Sequence, residues 1–244
     1  MNTPDRVTLI TGASKGIGRA CAERLHRDGH HIIGLARNQP ADGTFLGDFY
    51  TVDLADRTAT AEILSTLTAK YDVNGLINNV GLVAPQLLAE IELANFDAVV
   101  EVNMVSAIQC AKACLPAMRR QSFGRIVNIS TELVLGYETR TAYSSAKAGL
   151  ISFARTWALE LAKYGVSVNA IAPGPVETDL FMDNNPIGSP QREAKLARIP
   201  LGRFGMPEDI AAVVAFFMGP DAAFVTGQTV FVCGGSSLGS ISLP

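Results

Sequence analysis

Val7-Thr8-Leu9-Ile10-Thr11-Gly12-Ala13-Ser14-Lys15-Gly16-Ile17-Gly18 runs from a short apolar stretch, through a turn set with glycines, into a segment with helical spacing. The Val7 to Ile10 stretch is nearly continuous in apolar character, the mark of a strand buried on both faces of a parallel sheet. Beyond the turn Ile17, Ala20, Cys21, Arg24 and Leu25 recur at the helical period, and Gly29 is placed to end that helix.

The alternation then repeats along the chain. Strands are predicted over 31–36, 49–52, 75–78, 125–129, 166–171 and 229–232, and helices over 58–70, 95–120, 141–163 and 207–218. Strands alternating with helices demand right-handed crossovers, so the expected fold is α/β: a doubly wound parallel sheet of Rossmann type with about seven strands flanked by helices. Residues 1–244 read as a single dinucleotide-binding domain with an integrated catalytic site, because no linker divides them. Between Arg37 and Phe49 the chain contains Pro and Gly and is too short for a full helix, so a loop is expected. Within 180–203 the Asn184-Asn185-Pro186-Ile187-Gly188 segment breaks periodicity, which predicts a mobile substrate loop with short helical pieces.

Bulk properties narrow the function. Apolar residues make up 48% of the 244, and the formal net charge is only -3. That balance, without a basic stripe, argues against a nucleic-acid binder or a disordered tail. Apolar stretches such as 210–218 fall short of the ~20 residues of a membrane span, and Met1 to Ile10 lacks a signal-peptide pattern; a cytoplasmic protein with no membrane partner is expected. Cys21, Cys110, Cys114 and Cys233 show no metal-ligand spacing, and no metal site is expected. His26, His30 and His31 cluster away from the other candidate groups and are given no catalytic role.

The glycine turn is placed to bind phosphate. Backbone NH groups and the helix dipole favour a pyrophosphate at a strand-to-helix turn, and glycines let it approach the backbone. The spacing Gly12-x-x-x-Gly16-x-Gly18 is neither Gly-x-Gly-x-x-Gly nor a P-loop. The cofactor-binding set read from this turn is Gly12, Ser14, Lys15, Gly16, Ile17 and Gly18. At the end of the second strand Ala36 is neutral where an acidic residue would hold the ribose hydroxyls of NAD, and Arg37 follows it. Together with Lys15, Arg37 suits the 2'-phosphate of NADP(H).

Further on stands Tyr143-Ser144-Ser145-Ala146-Lys147. Four residues apart on a helix, Tyr143 and Lys147 share a face, and a neighbouring ammonium is expected to lower the phenol from its usual ~10 into the working range. Ser130-Thr131 closes a strand-like run just upstream. The glycine turn, the hydroxyl pair and the Tyr-Lys pair in this order resemble the short-chain dehydrogenase/reductases from about Arg6 to Gly235, most closely the 3-oxoacyl-carrier-protein reductases.

The resemblance implies a Tyr that protonates a carbonyl oxygen while the nicotinamide delivers hydride, a hydroxyl that holds that oxygen, a Lys on the nicotinamide ribose, and an Asn supporting a water beside the Lys. Carried onto this chain, these are Tyr143, Thr131, Lys147 and Asn103. The strand's own motif, Gly124 to Thr131, selects Thr131, twelve residues before Tyr143; the family's more usual spacing of thirteen would select Ser130. The resemblance also implies Asp53 and Leu54 at the adenine, Asn79 and Gly81 beside the ribose, and Val176 and Thr178, after Pro173-Gly174, at the nicotinamide carboxamide, with Tyr143 and Lys147 completing the cofactor contacts. In Asn78-Asn79-Val80-Gly81, Val80 stands where the family usually has Ala.

Leu82, Val83, Leu133, Val134, Phe181 and Met182 flank the expected pocket and suggest an apolar or acyl-bearing ketone or acyl thioester, while Glu132 and Arg140 are placed to read a polar end. Arg119 and Arg120 read as cations complementing a helix dipole. Leu150, Phe153, Trp157 and Leu161 form an apolar stripe that predicts packing on the sheet and on a second subunit, and the resemblance implies a homotetramer. The activity expected is NADPH-dependent reduction of a 3-oxoacyl-type ketone. The alternatives are a dehydrogenase oxidising a cyclic diol, sugar alcohol or hydroxysteroid, and a catalytically idle NADP-binding redox sensor, against which the intact Tyr143-Lys147 pair speaks.

Overall fold

A computed structural model describes residues 6–238; residues 1–5 and 239–244, the ends of the expected single domain, lie outside that range. Seven strands, β1 (Val7–Thr11), β2 (His31–Ala36), β3 (Asp48–Thr51), β4 (Gly75–Asn78), β5 (Gly124–Ile129), β6 (Val166–Pro173) and β7 (Thr229–Val232), form one sheet in the order β3-β2-β1-β4-β5-β6-β7. Every pairing is parallel. The strand order reverses between β1 and β4, where a crevice opens at the carboxyl ends of the strands.

Helices cover both faces. Helix α1 (Gly16–Arg27) and, late in the chain, α8 (Pro207–Met218) pack on each other and close one core, with Cys21, Leu25, Ile210 and Val214 against Ile10, Ile77 and Ile171. On the opposite face α2 (Arg57–Lys70), α4 (Ser106–Gln121) and α5 (Thr141–Leu161) set Leu67, Cys114 and Ala154 against Leu9, Leu76 and Val168. Each such fully buried Leu, Ile or Val side chain contributes ~1.5–3 kcal/mol. Asp56 caps α2 by accepting the Thr58 and Ala59 NH groups.

The helix expected over 95–120 is interrupted. Helix α3 (Leu93–Val100) continues through a π turn over Glu101–Val105 into α4. The inserted turn carries Asn103. Continuous apolar character hid it from the sequence, and it also makes 93–121 long and apolar enough to cross a membrane, contrary to the sequence expectation; 44% of its most apolar 18-residue stretch is buried inside the fold.

Residues 37–47 form the expected loop, tied down by Arg19, which bonds the Thr44 carbonyl at 2.6 Å and pairs with Asp42 at 3.3 Å. Segment 180–203 carries two short helices, α6 (Asp179–Asn184) and α7 (Pro190–Leu196), capped by the hydroxyls of Thr178 and Ser189 and tied by an Arg192–Glu177 ion pair. The α5 stripe divides: Leu150 and Leu161 are buried, while Phe153 and Trp157 stack with centroids 4.9 Å apart at a partly open surface. His30 is buried against Thr8, 2.8 Å away, and burial lowers it to about 4. Cys21, Cys110 and Cys114 are buried free thiols. Arg119 stacks over Tyr164 and Arg120 pairs with Asp72, so both cations of the α4 terminus have local partners.

Candidate active site

The glycine turn is held by the strand beside it. Thr11 Oγ1 accepts the Asn79 and Val80 NH groups at 2.9 and 3.1 Å, and Asn79 Nδ2 donates to the Thr11 and Gly12 carbonyls at 2.9 and 3.2 Å. Asn79, expected beside a ribose, is thus also the clamp on the turn. Gly12 and Gly16 have φ of +68° and +56°, a region that disfavours side chains, and a Cβ on Gly18 would lie 2.2 Å from the Gly12 carbonyl oxygen.

Lys15 precedes α1 with no side-chain cap on the helix, which leaves the first-turn NH groups to other acceptors. Ser14 sits half-exposed in the same turn. Lys15 and Arg37 are exposed, and among the described residues neither has a carboxylate partner. A helix start with uncapped NH groups, a turn with no room for a Cβ, and two unpaired cations fit a dinucleotide bearing an extra phosphate.

Two expected adenine contacts divide. Asp53 is exposed, with Oδ1 accepting the Ala55 NH at 3.0 Å. Leu54 is 2% exposed and its side chain belongs to the core, which leaves its backbone as the part that could meet a base.

At the carboxyl ends of β4, β5 and β6 lies a cavity of about 820 Å3. Ile17, Asn79, Gly81, Thr131, Tyr143 and Lys147 line it, as do Pro173, Gly174, Val176 and Thr178 from the loop after β6. Lys147 is 1% exposed, and its Nζ donates to the Ile129 and Val80 carbonyls at 2.9 and 3.1 Å. Its ammonium lies 5.9 Å from the centre of the Tyr143 ring.

Ser130 and Thr131 have different surroundings. Ser130 Oγ is buried and donates to the Lys147 carbonyl at 2.8 Å. Thr131 Oγ1 accepts the Leu133 NH at 3.3 Å as a helix cap, which leaves its proton available to the cavity.

Asn103 Nδ2 bonds the Val99 and Leu82 carbonyls at 2.8 and 2.9 Å, supported by the π turn. Its Oδ1 is buried without a protein partner, and a Cβ built on Gly81 would lie 3.4 Å from that oxygen and 3.6 Å from Lys147 Nζ. An orphan acceptor beside a buried cation suits a bridging hydrogen-bond donor.

The electrostatics overturn one expectation. Burial pushes the Tyr143 phenol up to about 12, with Arg140 opposing, rather than toward neutrality. Lys147, also desolvated, is pushed down to about 7. The sequence spacing placed the two groups together correctly but carried no information on the burial of Lys147 or on the half-buried setting of Tyr143 beside Val99 and Ala142.

Val83, Leu133 and Phe181 line the cavity; Val134 and Met182 do not, and Leu82 packs instead with Val99 behind Tyr143. Sequence reasoning missed Tyr137, Lys195 and Arg198, which also line it. Tyr137 lies in the loop before α5, and the two cations lie on or just after α7, a short helix whose only sequence signal is Ser189-Pro190 at its start. Among the described residues no group of three or more His, Cys, Asp or Glu could hold a metal.

Residues 12–237 match the family model described as enoyl-(acyl carrier protein) reductase. The chain is 36% identical over 243 residues to 3-oxoacyl-[acyl-carrier-protein] reductase FabG of Vibrio cholerae serotype O1, covering 96% of this chain and 98% of that one. A solved structure described as an NAD(P)-dependent gluconate 5-dehydrogenase from Beutenbergia cavernae, with bound NADP, superposes with a TM-score of 0.89 at 32% identity, over 96% of this chain and 97% of that one. Aldohexose dehydrogenase of Thermoplasma acidophilum gives 0.89 at 29% identity over 98% and 97%. With its parallel sheet, its glycine turn and a Tyr-Lys pair facing one crevice, the chain belongs to the short-chain dehydrogenase/reductase family, oxidoreductases of alcohol and carbonyl groups.

Proposed function

We propose that the chain is an NADPH-dependent carbonyl reductase acting on a 3-oxoacyl-type ketone. The observation that carries this reading is the convergence of Thr131, Tyr143 and Lys147 on the cavity that Ile17 of the glycine turn also lines. Bound NADPH supplies the hydride. Thr131 Oγ1 and Tyr143 Oη hold the carbonyl oxygen, and Tyr143 transfers its proton there as negative charge develops. A phenol raised by burial is protonated across the physiological range, as a proton donor must be. Lys147 and Asn103 hold the ribose side and the route by which the proton is replaced, and Lys15 with Arg37 holds the 2'-phosphate. Val176 and Thr178 fix the carboxamide. Similarity to a structure with bound NADP supports that choice of cofactor.

A second reading is oxidation of a sugar alcohol. The charged wall formed by Glu132, Arg140, Lys195 and Arg198 favours it, because an all-apolar acyl chain has no use for those groups. In either direction segment 180–203 serves as the part that closes over substrate, the chain works as a homo-oligomer through the open Phe153–Trp157 face, and it resides in the cytoplasm.

A panel of acetoacetyl thioesters, diketones, cyclic ketones and sugar alcohols with both cofactors tests the reading, repeated on Tyr143→Phe. Expected is NADPH oxidation with at least one ketone, falling by ~10²–10⁴ in the variant. Equal turnover by Tyr143→Phe overturns the assignment, and light scattering that returns a monomer mass removes the assembly.

A further inference from the structure

Three cations outside the Tyr-Lys pair face the same cavity. Arg140 stands immediately before α5, three residues ahead of Tyr143, and its Nη1 donates to the Thr139 hydroxyl at 2.7 Å. Lys195, half-buried on α7, donates to Asn185 Oδ1 at 2.5 Å. Arg198 follows α7 and reaches the cavity from the same side.

None of the three has a carboxylate within 4.0 Å among the described residues, whereas Arg192 on the same helix is paired with Glu177. The cavity's one lining carboxylate, Glu132, accepts the Ser236 hydroxyl and feels Arg198 through space without pairing with it, so it offsets that one cation in part and leaves Arg140 and Lys195 uncompensated. Gathering like charges in a partly dry cavity is unfavourable, and burial and then the nearby Arg140 both push the Lys195 ammonium below its ordinary value. An anion placed among the three would relieve that repulsion.

We propose that Arg140, Lys195 and Arg198 form an anion-binding subsite, and that the substrate is a ketone carrying a carboxylate or a phosphate a few bonds from the reacting carbonyl. The proposal rests on the reading of this cavity as the redox site. It narrows the substrate class: the acyl chain ends in charge rather than in hydrocarbon. Lys195 and Arg198 ride on the segment that carries α7, so the anion also draws that segment toward Tyr143.

The test compares matched pairs with NADPH: levulinate against methyl levulinate, acetoacetate against methyl acetoacetate, and dihydroxyacetone phosphate against dihydroxyacetone. Expected is a kcat/KM at least ~10-fold higher for the charged member of at least one pair, the size of one charge-assisted contact. In Lys195→Gln/Arg198→Gln that charged-to-neutral ratio falls ~10-fold or more, through KM rather than kcat, and the carboxylate and phosphate pairs show which anion fits. The same six compounds are tested as ligands of the NADP-bound protein by thermal shift. Stabilisation by the charged members that disappears in the double variant supports the subsite even where no NADPH is consumed, an outcome that sinks the reductase reading alone. Equal stabilisation and equal turnover by charged and neutral members, or a ratio unchanged in the double variant, overturns the subsite.

Discussion

The Ser130 hydroxyl donates to the backbone carbonyl of Lys147 at 2.8 Å, joining the end of β5 to the second turn of α5. Both hydroxyls line the cavity, and with Ser130 committed to that contact the neighbouring Thr131 is the one we propose to serve a ligand. Thr131→Ala is expected to lower kcat by ~10²–10³, the usual loss of one donor to a developing oxyanion. Thr131→Ser should retain most of the rate. Ser130→Ala should act on stability, costing ~0.5–1.5 kcal/mol. Steady-state kinetics beside urea melts distinguish the two, and a larger kcat loss at Ser130 than at Thr131 would reverse the assignment.

Lys147 gives the cofactor-free protein a pH signature. Its folded value is near 7 against an ordinary 10.5, so between those limits the unfolded chain binds more protons than the folded one. Stability contributed by the neutral amine is therefore complete above 10.5 and is lost as pH falls toward 7. Urea midpoints should rise from pH 7 to 10 by more in the wild type than in Lys147→Met, while that variant loses ~100-fold or more in kcat. Parallel pH curves for the two proteins would show that the amine stays charged.

Tyr143 works in the opposite sense at higher pH. Its phenol is raised from 10 to about 12, so the stability it contributes is intact below pH 10 and lost as pH climbs through 12. Tyr71 is raised as well, so ultraviolet titration of the tyrosines should show more than one late phenol, and the step near 12 should be missing from Tyr143→Phe.

The proposed preference for NADPH rests on Lys15 and Arg37, two cations that have no carboxylate partner among the described residues. Arg37→Ala with Ala36→Asp should shift the NADPH to NADH ratio of kcat/KM by about 10- to 100-fold toward NADH, the worth of one charge-assisted contact with a 2'-phosphate. NADPH kinetics unchanged by the pair of substitutions would remove Arg37 from the site.

The π turn over 101–105 makes Asn103 a keystone, since its amide satisfies Val99 from its own helix and Leu82 from the loop after β4. Asn103→Ala should destabilise the fold by ~1–3 kcal/mol by leaving two carbonyls unpaired. Asn103→Asp keeps the orphan oxygen but loses both donors, and should melt similarly. Thermal unfolding of either variant within a degree of wild type would deny the turn this support.

Much of this architecture could be read from the chain because its signals were local. Val7 to Ile10 and Gly124 to Ile129 are short apolar runs ending at glycine or hydroxyl residues, and the structure places both as central strands. Tyr143 and Lys147 meet because helical spacing alone brings them together. What stayed hidden depends on the tertiary context. A π turn adds a residue to one coil without altering the apolar content of 93–121. The rise of the Tyr143 phenol comes from burial beneath groups distant in sequence. Lys195 and Arg198 belong to no local motif, and they reach the cleft only because α7 folds beside it. Leu54 sits next to an exposed Asp, and only the packed core shows that its side chain points inward.

The clasp between Thr11 and Asn79 spans 68 residues of chain. A polypeptide leaving the ribosome amino end first therefore presents its first strand and helix long before the partner that braces the bend between them has emerged. The bend is therefore braced only once β4 has docked on β1, and any ligand that needs the braced bend gains its seat at that same moment.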